Sequence, residues 1–403
     1  MSSRILQVGG FDHVKAVVIG GGHPVVVQTM WKDRLSFDAV RGEPGKALVH
    51  RIETLEAMGC GLLRFAVPSM EDAEVLGELA SRVLLPLCAD IHFDYKIALR
   101  CLDFPIAKIR INPGNIGGRE KVRQVLEKAS EKGIPIRIGV NAGSLPVELR
   151  KSAGIFSRKG AKDAEEYKGI SAAELMVEAA MRELAVFDEF GFKHFLVSMK
   201  ASSVAGTIQA NRLFRSRSNV PLHIGVTEAG PLVSGTVKNT AALLPLLAEG
   251  IGDTIRVSLS DTVENEVIAG REILNAARDM AVLNRDTAES TQHTTVTPDR
   301  LGRGVTIVSC PRCGRNGFDT IAFTERWKTR LYSINKDCAI AIMGCAVNGP
   351  EEAKHADLGI TGAGNSIIIF RNGKIIKTLL VNNDEEIDKA FGEELQKLCI
   401  HAD

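Results

Sequence analysis

The amino-acid sequence predicts an α/β protein: an N-terminal (β/α)₈ TIM barrel followed by a smaller α+β domain. Three observations carry this. Over the first two-thirds, short β-branched or Leu-rich runs alternate with longer amphipathic stretches, in eight repeats. The chain then turns polar and loses that rhythm, as a linker does. Beyond it the apolar runs return, two of them joined by Asn372-Gly373, a strong hairpin signal.

The barrel strands are expected at Val25–Thr29, Leu62–Ala66, Leu85–Asp90, Lys108–Asn112, Pro135–Asn141, His194–Ser198, Pro221–Val226 and Thr254–Ser258. Helices are expected between them at His50–Met58, Ser69–Ser81, Gly118–Lys132, Ser171–Phe190, Ser203–Ser216, Ala241–Glu249 and Glu264–Arg278. Eight such units in about 250 residues is the arithmetic of a closed barrel. The alternative is an open doubly wound sheet, but no G-x-G-x-x-G follows the first strand to favour its dinucleotide-binding version. Val14–Ile19, Gly20–Gly22 and Val25–Thr29 read as a leading hairpin that covers the lower end of the barrel. The charged stretch Ile155–Lys168 reads as a solvated loop insertion. The expected domains are residues 1–280, a linker over 281–303, and residues 304–403. In the last, strands are expected at Val305–Ser309, Ala339–Met343, Leu358–Thr361, Ser366–Phe370 and Lys374–Leu380, with helices at Phe318–Tyr332 and Asp384–Leu398.

Composition excludes several function classes. Lys and Arg number 50 against 49 Asp and Glu, and a net charge of +1 argues against a broadly basic nucleic-acid surface. It leaves room for a local cationic pocket. No apolar run approaches the roughly 18 residues of a spanning helix, and the start lacks the apolar core of a signal peptide. A cytoplasmic protein with no membrane partner is expected, its cysteines reduced or ligating.

Active sites of such barrels form at the C-terminal ends of the strands. Those ends carry Arg64, then Asp90 and His92, then Lys108, Arg110 and Asn112 on one face of one strand. Arg137 and Asn141, Ser198 and Lys200, Thr227 and Glu228, and Arg256 and Ser258 follow. A charge within a buried parallel strand is costly unless it is paired or faces a ligand. One or two could be structural bridges to Asp90 or Glu228. Five strands contributing Arg or Lys at the same end point instead to a strongly anionic small molecule, such as one bearing phosphoryl groups. No Walker-type phosphate loop is present, which argues against nucleotide hydrolysis.

The cysteines are uneven: Cys310, Cys313, Cys338, Cys345 and Cys399 crowd the C-terminal domain. Cys310 and Cys313 form a C-x-x-C, and Cys345 follows with the carboxylates Glu351 and Glu352 nearby. Spacing alone leaves two readings open. A structural zinc site would want four ligands, with Cys338 or His355 completing it. An iron–sulfur cluster tolerates three thiolates and one unusual ligand. The non-redox form of the first reading is a barrel synthase for a phosphorylated substrate; a non-enzymatic iron–sulfur carrier or sensor is the other rival.

Taken together, the motifs resemble the (E)-4-hydroxy-3-methylbut-2-enyl diphosphate synthases of the non-mevalonate isoprenoid pathway, in their two-domain bacterial form. The residues that carry the likeness are Val27–Met30, Arg64–Pro68, Ala89–Phe93, Arg110–Asn115, Gly139–Leu145, Ser198–Lys200, Gly225–Gly230, Gly250–Ser258, Ser309–Arg315 and Gly344–Pro350. The resemblance implies a [4Fe–4S] cluster on Cys310, Cys313, Cys345 and Glu352. It implies two-electron reductive opening of 2-C-methyl-D-erythritol 2,4-cyclodiphosphate, with reduced ferredoxin or flavodoxin as donor. On it, Arg64, Arg110, Arg137, Lys200 and Arg256 hold the diphosphate, and Asn112, Asn141, Thr227 and Ser258 add hydrogen bonds. Glu228 is the expected proton donor, with Asp90 and His92 orienting it or touching substrate. A homodimer that shares its site between subunits is implied as well. Two places depart from the family pattern: Trp31-Lys32-Asp33 after the first strand, and Glu351 beside the implied ligand Glu352.

Overall fold

The chain divides into two units, Met1–Gly302 and Arg303–Asp403. The computed structural model describes residues 2–141, 171–287, 304–311, 317–345, 353–363, 366–380 and 383–400. The expected insertion at Ile155–Lys168 and most of the expected linker lie outside them.

In the first unit, β3 (Val26–Met30), β4 (Cys60–Ala66), β5 (Leu87–Asp90), β6 (Lys108–Ile111), β7 (Ile136–Asn141), β8 (Phe195–Lys200), β9 (His223–Ile224) and β10 (Thr254–Ile255) form one parallel sheet. Its order runs β8-β7-β6-β5-β4-β3-β10-β9. A parallel bridge from Val197 to Leu222, just ahead of β9, closes the ring, and there Val197 N donates to Pro221 O at 3.0 Å. Closure excludes the open doubly wound alternative. Strand β6 shows why these sequences make a barrel: Ile109 and Ile111 are fully buried on one face, while Lys108 and Arg110 alternate onto the other, into the barrel.

Helices pack outside: α1 (Phe37–Val40), α2 (Gly42–Ala57), α3 (Met70–Ala80), α4 (Tyr95–Cys101), α5 (Pro113–Ile116), α6 (Arg119–Glu131), α7 (Ala172–Glu189), α8 (Val204–Arg217), α9 (Leu232–Ala248) and α10 (Val263–Thr287). Their starts follow local chemistry. Ser69 and Ser203 accept from the backbone N–H groups of Asp72 and Gly206, and Ser171 with Glu174 makes a capping box. Three expectations change. Helix α2 starts at Gly42, well before His50, α9 starts at Leu232, well before Ala241, and α10 runs to Thr287, through the first residues of the expected linker.

The leading hairpin is also corrected. Strand β2 (Val17–Ile19) pairs antiparallel with β1 (Leu6–Val8), not with Val25–Thr29, which belongs to the barrel. The three-residue β1 is too short to register as a periodic run. Its Leu6 and Val8, with Val14 and Ile19, pack on Leu62, Ala107 and Leu196. The hairpin thus seals the lower end, as expected. Ser3 and Arg4 hold the preceding segment there, through Ser3 Oγ to Asp253 Oδ1 at 2.6 Å and the Arg4 guanidinium over the Phe195 ring.

The second unit is a five-stranded sheet of β11 (Val305–Ser309), β12 (Cys338–Met343), β13 (Leu358–Ala363), β14 (Ser366–Arg371) and β15 (Lys374–Leu379), in that order. The first three are parallel and the last two antiparallel. Asn372 and Gly373 both take positive φ, 49° and 72°, as a two-residue turn between β14 and β15 demands. Helices α11 (Thr320–Tyr332) and α12 (Asp384–Ile400) meet through Phe323, Trp327 and Phe391. Among the described residues no helix is long and apolar enough to cross a membrane.

Candidate active site

Strand register brings the charged strand ends together. Asp90, Arg110 and Arg137 are neighbours across β5, β6 and β7, and Arg64 lies one strand before them on β4. Arg64, Asp90, His92, Arg110, Arg137, Ser198, Lys200, Thr227, Arg256 and Ser258 line one pocket. Its cavity volume is about 110 Å³.

Asp90 anchors one side. It is 4% exposed and accepts from Arg110 Nη1 at 3.0 Å, with Arg64 Nε at 3.6 Å and His92 Nε2 at 3.5 Å. Burial works to raise its pKa, but Arg64, His92, Arg110 and Arg137 outweigh that and hold Asp90 well below the usual carboxylate range. The Arg110 guanidinium lies across Gly139, where a Cβ would stand 2.6 Å from its Nε. On the far side, a Cβ at Gly225 would meet Arg256 O at 2.3 Å and Lys200 Nζ at 3.0 Å. Both glycines leave space that a cation uses.

Cations outnumber carboxylates at this mouth. Arg137 is 2% exposed, and its Nε and Nη1 have no hydrogen-bond partner among the described residues; the same holds for Arg110 Nε. Burial, then Arg64 and Arg110, push the Arg137 pKa well down. Burial, then Arg256, Arg137 and Arg64, do the same to Lys200. Deeper in the barrel, the fully buried Lys108 donates to Gln28 Oε1 at 2.9 Å and is pushed down to about 8, chiefly by burial. Buried donors without acceptors are expensive. An anion with several oxygens would satisfy them at once.

The remaining expected residues fall as follows. Thr227 lines the pocket; Glu228, next to it in sequence, is not among the lining residues and is exposed, with a left-handed backbone of φ 52°. Such a conformation costs a non-glycine residue about 1 kcal/mol and is concentrated at functional sites. Asn112 is not brought to the pocket wall; its side chain accepts from Gly114 N at 3.2 Å and caps α5. The Asn141 side chain lies outside the described residues.

Two participants go beyond the roles the sequence assigned. Ser198, a strand-end residue with no expected task, lines the pocket beside Lys200. Glu266, 1% exposed in the first turn of α10, accepts from Arg256 Nε and Nη2 at 3.2 and 3.1 Å. Its one signal in the sequence is an acidic residue in a helix's first turn, which is ordinary. Within the departing segment, Trp31 stacks on Phe65 beneath the Arg51 guanidinium, and Lys32 pairs with Glu266.

In the second unit, Cys310 directly follows β11 and Cys345 lies just beyond β12. These strands are parallel neighbours, so both thiols emerge at the same end of the sheet. Backbone bonds tie the two loops there, Cys310 N to Ile342 O at 2.9 Å and Gly317 N to Gly344 O at 2.8 Å. Cys338 starts β12 at the opposite end, about 17 Å away along the strand, so it cannot complete a site with Cys345. Burial raises it to about 11, as for an inert thiol. Cys313, Glu351 and Glu352 lie outside the described residues.

Two family models match this chain: GcpE TIM-barrel domain over residues 12–271, and GcpE protein C-terminal domain over residues 306–397. A protein of Treponema pallidum named 4-hydroxy-3-methylbut-2-en-1-yl diphosphate synthase (flavodoxin) is 49% identical, over 98% of this chain and 92% of its own length. A protein of Treponema denticola with the same name is 49% identical, over 98% of both chains. Another so named, from Thermodesulfovibrio yellowstonii, is 42% identical over 98% of both.

Proposed function

The chain belongs to the GcpE family of 4-hydroxy-3-methylbut-2-en-1-yl diphosphate synthases, and from that premise we infer its reaction. It is an oxidoreductase that takes two electrons to open 2-C-methyl-D-erythritol 2,4-cyclodiphosphate and remove a hydroxyl, forming (E)-4-hydroxy-3-methylbut-2-enyl diphosphate. The observation that carries the substrate assignment is the pocket's cationic excess: Arg64, Arg110, Arg137, Lys200 and Arg256 converge on one cavity that contains a single lining carboxylate among the described residues. Guanidinium groups pair phosphate oxygens two at a time, so this wall fits a diphosphate.

Each side chain then has a task. The five cations neutralise and orient the diphosphate, and Asp90 fixes Arg64, Arg110 and His92 in place. Thr227, Ser258 and Asn141 add hydrogen bonds, while Asn112 holds the α5 turn through its Oδ1. Glu228, exposed and next to the pocket-lining Thr227 in sequence, gives a proton to the departing oxygen, since hydroxide is a poor leaving group.

The cofactor of this reading is a [4Fe–4S] cluster on Cys310, Cys313, Cys345 and Glu352. When bound, such a cluster supplies single-electron transfer and a Lewis-acidic iron. The emergence of Cys310 and Cys345 at one end of the sheet supports thiolate ligation there. Reduced flavodoxin, named for the relatives, is the donor of choice, with ferredoxin the alternative. A cytoplasmic homodimer whose subunits share each site completes the proposal.

Anaerobically purified protein should be brown, hold about four irons per chain, and convert the cyclic diphosphate when given reduced flavodoxin. A colourless, zinc-replete preparation with full activity would overturn the cofactor assignment.

A further inference from the structure

Glu266 ties together three parts of the barrel mouth. Its carboxylate accepts from Arg256 Nε and Nη2, from Thr29 Oγ1 at 2.6 Å, from Leu259 N at 3.0 Å and from Lys32 Nζ. The donors come from β3, the segment after it, and the chain after β10. Glu266 is 1% exposed, so these bonds form out of water. Burial would raise its pKa, but Arg256, Lys32 and Thr29 outweigh that and keep it ionised.

The geometry at Arg256 is specific. A guanidinium offers five N–H donors in a rigid plane. Glu266 engages the Nε–Nη2 edge from behind, which fixes that plane and leaves Nη1 for the pocket that Arg256 lines. Without this brace the long side chain would regain its rotamers, and binding would have to immobilise it.

We propose that Glu266 is a positioning residue for the anion pocket: it presets the Arg256 guanidinium toward the substrate diphosphate and, through Lys32, fastens the Trp31–Asp33 segment to the same wall. The inference rests on the reading that Arg256 binds substrate phosphate. Lys32 shares the carboxylate with Arg256, so the departure from the family pattern after the first strand reaches the pocket indirectly.

A double-mutant cycle on the iron-loaded full chain tests this, with affinity for the cyclic diphosphate measured directly. Glu266→Gln, close to isosteric, should weaken binding about tenfold by releasing the brace. In an Arg256→Ala background the same change should weaken binding less than about twofold, because the brace then has nothing to hold. A merely structural Glu266 would weaken both backgrounds alike, and that result would overturn the proposal, as would Glu266→Gln binding like wild type. Should Glu266→Gln fail to fold, Glu266→Asp carries the test in the same two backgrounds. If Arg256→Ala alone leaves affinity unchanged, the phosphate-binding reading fails instead.

Discussion

The two units build their chemistry in opposite ways. The barrel spreads its pocket over most of its strands, and several of its cations are buried without full compensation. Arg137 keeps two nitrogens without acceptors among the described residues, and Lys108 is buried against the Gln28 amide. In the C-terminal unit, the two candidate ligands among the described residues, Cys310 and Cys345, emerge at one end of a sheet from neighbouring parallel strands. Among the described residues, the barrel holds buried guanidinium nitrogens without acceptors, and the C-terminal unit brings two thiols to one end of its sheet. Recognition and electron chemistry can therefore be broken separately.

The widest break joins the two. Cys310→Ala should abolish turnover while leaving cyclic-diphosphate affinity within about twofold of wild type. Arg256→Ala should weaken binding about 100-fold while iron content stays unchanged. If subunits share sites, mixing these two inactive chains should restore about a quarter of wild-type activity, since half the dimers are mixed and each holds one intact site. No recovery after subunit exchange would rule out sharing. A smaller effect sharpens the catalytic side: Glu228→Gln should lower kcat about 100-fold with iron content and substrate affinity preserved. An unchanged kcat would remove Glu228 as proton donor.

The smallest effect probes the strain in the barrel. Lys108 falls from 10.5 to about 8 on folding, so the folded state binds its proton less tightly than the unfolded chain does. Its destabilisation is fully present below pH 8 and fades as pH rises toward 10.5. Lys108→Met should therefore raise Tm by about 3 °C near neutral pH and by less in alkaline buffer. A shift independent of pH would show that packing, rather than charge, governs the change.

The same contrast decided what was legible in the sequence. Period-two alternation exposed Lys108 and Arg110, because a charge inside a buried apolar strand is too costly to stand without a partner or a ligand. Family spacing pointed to Cys310, Cys313 and Cys345, of which the described residues include the first and last. Asn112 carried the same alternation, yet it lies just past the last residue of β6, where an Asn is also an ordinary helix cap. Glu266 left only an acidic residue in a helix's first turn: it is ten residues from Arg256 in sequence, and the path of the chain into α10 brings it inward. Helix α4, seven residues long, was too short for its periodicity to stand out.

The hairpin of β1 and β2 has a consequence for traffic. By plugging the lower end with Leu6, Val8, Val14 and Ile19, it makes the barrel a cul-de-sac. On the proposed reading, substrate enters, and product departs, through the mouth that the cations line. A product that keeps its diphosphate then leaves past the same guanidinium groups, and the two compete for that doorway.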